Sequence, residues 1–144
     1  MLSEATEARV RASFARQKLM ATFGAEIAAL SSGHCMLTSP ILALAEQQHG
    51  VGHAGLTFAL GDTAAGYAAL TLMADEAEVM TAEMKINLLA PSHGTRLFAT
   101  GKVVKAGKRL MVVTAEVAVE TEGTRRLVAI LQGTMVPVLP RLTR

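Results

Sequence analysis

Asp62 has the clearest chemical signature in this chain. It is the single charged side chain in the segment Leu56–Met73, which is rich in Ala and Leu and contains no Pro. Such a segment predicts a helix buried on nearly all sides. Burying an unpaired carboxylate there costs on the order of several kcal/mol. The bland reading is that Asp62 reaches solvent or caps a backbone group. The chemical reading is a general base or nucleophile at the edge of an apolar pocket, where desolvation raises both its pKa and its basicity.

The second element precedes that helix. Gln47-Gln48-His49-Gly50-Val51-Gly52-His53-Ala54-Gly55 is a glycine-rich turn. The first N–H groups of a helix have no partner within it. Aided by the helix dipole, those near Ala54 and Gly55 can hold a polarised carbonyl or an oxyanion. The glycines allow close approach, although a plain tight turn uses them equally. Asp62 follows Ala54 by eight residues. That spacing is ~12 Å along a helix axis, so one acyl carbonyl cannot touch both groups of one chain. Two antiparallel helices in a symmetric dimer would bring one chain's Asp62 beside the other's helix start. The expectation is an obligate homo-oligomer, a dimer with two shared sites or a dimer of such dimers.

Other readings of these residues are weaker. Gly50-Val51-Gly52-His53-Ala54-Gly55 also spells G-x-G-x-x-G, with Asp75 about twenty residues downstream of the turn, as in a dinucleotide-binding protein. That fingerprint needs a parallel βαβ unit, whereas the downstream pattern is one of hairpins. His49 and His53 have the i, i+4 spacing of a metal pair, but glycines lie between them and no third ligand cluster follows, so no metal is expected. There is no G-x-S-x-G elbow. Tyr67 reads as core or pocket lining. Lys102, Lys105, Lys108 and Arg109 form a run of cations without an acid between them. Such a run is either a solvated hairpin tip or a surface for phosphates.

These residues must be positioned by the rest of the chain. Residues 4–22 predict a helix with Ser3 as N-cap, ended by Gly24. Val10, Phe14, Gln17 and Ala21 form its stripe, with Arg9, Arg16 and Lys18 in water. Residues 25–40 are ambiguous, apart from a strand over Gly33–Ser39 stopped by Pro40. In 79–89, Met80, Ala82, Met84, Ile86 and Leu88 alternate with Thr81, Glu83, Lys85 and Asn87, which predicts a strand with Thr81 on the polar face. Pro91-Ser92-His93-Gly94 reads as a turn, 95–104 as a strand and Lys105–Lys108 as a tight turn. Residues 110–120 place Met111, Val113, Ala115, Val117 and Val119 on one face. Residues 125–136 are apolar on both faces and predict a central strand, with Pro137 and Pro140 ending the fold. The class is α+β, one antiparallel sheet packed on one long helix.

Composition excludes several functions. The 144 residues include 14 basic and 12 acidic side chains, a net charge of +2, and are 51% hydrophobic but only 3% aromatic. Neither a base-stacking nucleic-acid surface nor a membrane span is expected. The charged start MLSEATEARVRASFARQK lacks the apolar run of a signal peptide, and the lone Cys35 cannot form an internal disulfide. Both point to a reducing cytoplasm.

Gln47…Gly50…His53-Ala54-Gly55…Leu60-Gly61-Asp62-Thr63-Ala64-Ala65-Gly66 resembles the signature of hotdog-fold acyl-CoA thioesterases. The branch it is most similar to is the PaaI-like one (phenylacetyl-CoA thioesterase-like), related to 4-hydroxybenzoyl-CoA thioesterases. Met84–Pro91 resembles the family's strand after the helix. The resemblance implies one hotdog domain over 1–144, with an extra N-terminal helix in 1–24 and the core in 25–140. It implies Asp62 as catalytic carboxylate and Gln47 as the amide that holds the thioester or the water. It implies the N–H near Ala54 and Gly55 as oxyanion donor and Thr81 as a hydroxyl orienting water. His53, Asn87, Lys105, Lys108 and Arg109 would contact substrate, the last three at the phosphates of coenzyme A. Coenzyme A enters as part of the substrate, and no other cofactor is implied. Ala54 stands where the family pattern has glycine, which leaves the N–H but adds a methyl group. Non-catalytic acyl-CoA-binding proteins share the fold, so the fold alone does not decide activity.

Overall fold

The computed structural model describes residues 1–140; the expected domain limit at 144 lies outside the described residues. Two short helices open the chain, α1 (Glu4–Ala15) and α2 (Lys18–Phe23). Ser3 caps α1 as expected, its Oγ accepting the Thr6 N–H at 3.1 Å. The single helix expected over 4–22 is broken at Arg16-Gln17, where Gln17 turns extended and donates from Nε2 to Tyr67 Oη at 3.0 Å. Gly24, left-handed at φ 69°, ends α2. Arg9 is not in water. Its guanidinium donates to the carbonyls of Leu70, Met73, Ala74 and Ala77 at 3.1–3.2 Å. Leu70 closes the long helix and the other three carbonyls lie in the segment that follows it, so the guanidinium sits at the helix C-terminus, where the dipole favours a cation.

That helix is α3 (Ala54–Leu70). A six-stranded antiparallel sheet curls around it, formed by β1 (Glu26–Ser31), β2 (His34–Pro40), β3 (Glu78–Leu88), β4 (Arg96–Ala106), β5 (Met111–Thr121) and β6 (Thr124–Val138). Five of the six strands pack on α3. This is the hotdog architecture. β1 escapes the sequence pattern because its register shifts between Ile27 and Ala29, which breaks the alternation. The face of β5 is buried as expected, and Gly101 on β4 lets the sheet touch the helix. A Cβ there would lie 2.3–2.4 Å from the Ala64 and Ala65 backbone.

The strand order is β1-β2-β4-β5-β6-β3. β6 is interior, but β3 is an edge, separated from β4 by two strands. The segment at Pro91-Ser92-His93-Gly94 is therefore a crossover and not a hairpin turn. It passes beneath the start of α3, where Gly52 N–H donates to the Ser92 carbonyl at 3.0 Å. Pro137 lies inside β6, paired with Val79, rather than ending the fold. Every strand pairing among the described residues is antiparallel. The dinucleotide-binding reading of Gly50, Gly52 and Gly55 fails, since it needs a parallel unit. No helix among the described residues is long and apolar enough to cross a membrane.

Candidate active site

The start of α3 is fixed from two sides. Gly52 bridges to Glu46 on one side and Ser92 on the other, and His53 N–H donates to the Ala45 carbonyl at 2.8 Å. His53 is the N-cap, its Nδ1 accepting the Gly55 N–H at 2.7 Å. With Nδ1 accepting, Nε2 is the ring nitrogen left to donate. This cap separates two amides that the sequence leaves equivalent. The Gly55 N–H is occupied, whereas the Ala54 N–H finds no acceptor among the described residues. Ala54 carries the free donor at the positive end of the helix.

A cavity of about 480 Å³ opens at this point, with Gln47, His53, Ala54 and Thr57 on its polar side. Leu88, Leu89, Ala90 and Pro91 form its apolar wall. Gln47 Oε1 accepts the His49 N–H, which folds the side chain over its own turn. Sequence reasoning missed two features here. Leu88 and Leu89 are both 54% exposed despite their size. Arg126 donates to the Pro91 carbonyl at 3.1 Å and places a guanidinium beside the wall. The Arg126–Pro91 contact is not visible locally, because the two residues meet only through the crossover.

Asp62 lies halfway along α3 and is half-buried. Thr81 Oγ1 donates to its Oδ1 at 2.8 Å and also approaches Met135 Sδ at 3.4 Å. Burial pushes the Asp62 carboxyl up from its ordinary value, and the Thr81 hydrogen bond holds it down by less. Thr81 reaches Asp62 because β3 carries a register shift between Thr81 and Glu83. The bulge reverses the strand's phase, so Thr81 does not share a face with Glu83 and Lys85. Asn87 lies on that opposite face, lining with Glu83, Lys85 and Lys102 a separate cavity of about 830 Å³.

Within one chain the expected site residues therefore form separate groups. Gln47, His53, Ala54 and Gly55 gather at the helix start, and Asp62 and Thr81 pair near its middle. Asn87 faces outward. Lys105, Lys108 and Arg109 surround the β4–β5 turn. Lys108 rims a third cavity with Leu72, Met73 and Gly107, at the opposite end of α3 from Ala54.

Comparison with known proteins supplies a context for this geometry. A family model described as the thioesterase superfamily matches residues 49–125. A thioesterase family protein from Silicibacter pomeroyi is 41% identical, with a TM-score of 0.92 over 94% of this chain and 99% of that one. The PaaI protein of E. coli, from the phenylacetic acid degradation operon, superposes with a TM-score of 0.85 at 23% identity, over 96% of each chain. A provisionally named esterase of Saccharolobus solfataricus is 32% identical over 87 residues, 60% of this chain. The match spans 61% of that relative's length.

Proposed function

The chain belongs to the thioesterase superfamily, and from that premise we propose that it hydrolyses acyl-CoA thioesters to a free acid and coenzyme A. Its relatives support thioester hydrolysis in general. The observation that carries the finer reading is the Asp62–Thr81 pair. A carboxylate made more basic by burial, with one oxygen held by a hydroxyl, leaves Oδ2 to act.

In this reading Asp62 Oδ2 takes a proton from water, and the hydroxide attacks the thioester carbonyl. The carbonyl oxygen becomes an oxyanion held by the Ala54 N–H. The intermediate collapses by breaking the C–S bond, and the thiolate takes the proton back from Asp62. Direct attack by Oδ2 uses the same residues. Direct attack forms an anhydride with Asp62, and label found in the Asp62 carboxylate after a single turnover in heavy-oxygen water identifies it, since water must then have opened that anhydride at the Asp62 carbonyl. Gln47 orients the thioester at the mouth of the cavity, with His53 holding the turn.

Asp62 and Ala54 are ~12 Å apart along one helix, so each site takes Ala54 from one chain and the partner's Asp62. Setting Asp62 against Ala54 of an antiparallel helix puts Phe58 on the two-fold axis, and Phe58 is partly exposed in the single chain. β3 supports this pairing, being an open 11-residue edge on which Met80 is 56% exposed. The same arrangement carries the partner's Lys105, Lys108 and Arg109 toward the end of α3 that bears the cavity, where coenzyme A phosphates would need cations.

The test is thiol release from short, medium, long and aryl acyl-CoAs, with wild type and Asp62→Asn side by side. Turnover by wild type that falls ~10²–10⁴-fold in the variant supports the reading. Binding of acyl-CoA without thiol release makes the chain a binding protein. Equal turnover by the two proteins removes Asp62 from the mechanism.

A further inference from the structure

A second pair of side chains ties the helix start to the wall of the same cavity. Thr57 Oγ1 and Ser92 Oγ lie 3.1 Å apart, and the two residues are only 1% and 5% exposed. Both line the cavity with Gln47 and Ala54. Ser92 also accepts the Gly52 N–H through its main-chain carbonyl at 3.0 Å. The fit is close, since a Cβ at Gly52 would lie 3.1 Å from Ser92 Cβ. Ser92 therefore grips the chain on both sides of the free Ala54 amide, two residues before it through Gly52 and three residues after it through Thr57. An alanine and a valine could fill this space without desolvating two hydroxyls. What the hydroxyls add is direction, because a hydrogen bond weakens steeply when its distance and angle drift.

We infer that Thr57 and Ser92 are positioning residues for carbonyl polarisation. Their hydroxyl pair sets the place of the Ala54 N–H relative to the cavity wall from Leu88 to Pro91, against which the acyl group would rest. The inference rests on the thioesterase reading above, with Ala54 as the oxyanion donor. A donor displaced by a few tenths of an ångström still admits substrate but meets the oxyanion poorly, so the effect falls on kcat and not on KM.

The experiment uses the full-length protein and an acyl-CoA that the wild type turns over. Ser92→Ala, Thr57→Val, their double variant and Thr57→Ser are compared in kcat, KM and Tm. Each of the first two lowers kcat about tenfold or more with KM within about twofold. The double variant is no slower than the slower single one, because the pair acts as a unit. Thr57→Ser, which keeps the hydroxyl, keeps most of kcat. Variants that melt lower yet retain kcat would show a purely structural pair and overturn the inference. So would losses that multiply in the double variant, or Thr57→Ser failing as badly as Thr57→Val. Wild type that binds acyl-CoA without releasing thiol removes the hydrolase reading and this inference with it. Wild-type turnover that the substitutions leave untouched removes this inference alone.

Discussion

Thr81 Oγ1 donates to Asp62 Oδ1 at 2.8 Å, across the gap between α3 and the edge strand β3. Burial raises the Asp62 pKa and this hydrogen bond opposes the rise. As the proposed base, Asp62 is needed ionised, so kcat/KM should fall as pH drops through the raised pKa. Thr81→Val removes the opposing bond and moves the acid limb of the pH–rate profile to higher pH. A limb that stays in place would separate Thr81 from the titration.

The same shift sets a stability prediction. The folded-state pKa of Asp62 lies above that of the unfolded chain. Ionisation therefore opposes folding once the pH exceeds the unfolded value. Asp62→Asn should melt at a higher temperature than wild type at neutral pH. The difference should close below the ordinary carboxylate range, where Asp62 is protonated in both states. Calorimetry across pH tests this, and a variant less stable at every pH contradicts it.

Sites shared between two chains, as proposed above, would make complementation possible. His53 has extended backbone, φ −63° and ψ 143°, so proline is compatible with the next position. Ala54→Pro removes the free N–H at a helix position where proline is well tolerated. It should cost ~10²–10³ in kcat. Mixed dimers of Ala54→Pro with Asp62→Asn hold one intact site, and activity should return on subunit exchange. Continued inactivity in verified mixed dimers would reject sites shared between chains.

Phe58 on the proposed two-fold axis gives an independent test. Phe58→Glu places like charges against each other at the centre of the interface. It should yield monomers in sedimentation, with thiol release lost. An active monomer would overturn the shared-site geometry.

Arg9 joins the N-terminal helix to the last residue of α3 and to the segment after it through four carbonyls. Arg9→Met should destabilise the fold by about 2–4 kcal/mol, since a partly buried charged donor is lost. Denaturant unfolding measures it, and a change below about 0.5 kcal/mol would mean water replaces the guanidinium freely.

Much of this molecule is written locally. The uniform apolarity of Leu56–Met73 dictates a buried helix, and the alternation in 110–120 dictates a strand with one buried face. The break in that apolarity singles out Asp62, and the glycine-rich turn announces the helix start. Each is a property of neighbouring residues, so a linear reading finds it. Other features depend on contacts between distant segments. The bulge after Thr81 turns its hydroxyl toward Asp62, although strict alternation places it with Glu83 and Lys85. The sheet order sends Pro91–Gly94 beneath Gly52 and Thr57 when its residues alone read as a turn. His53 occupies the Gly55 N–H and leaves that of Ala54 free, a choice between adjacent amides that depends on the orientation of one ring. Periodicity records which face of a segment is apolar. Register, strand order and side-chain direction are decided by what packs against that face, and only the tertiary structure brings those partners together.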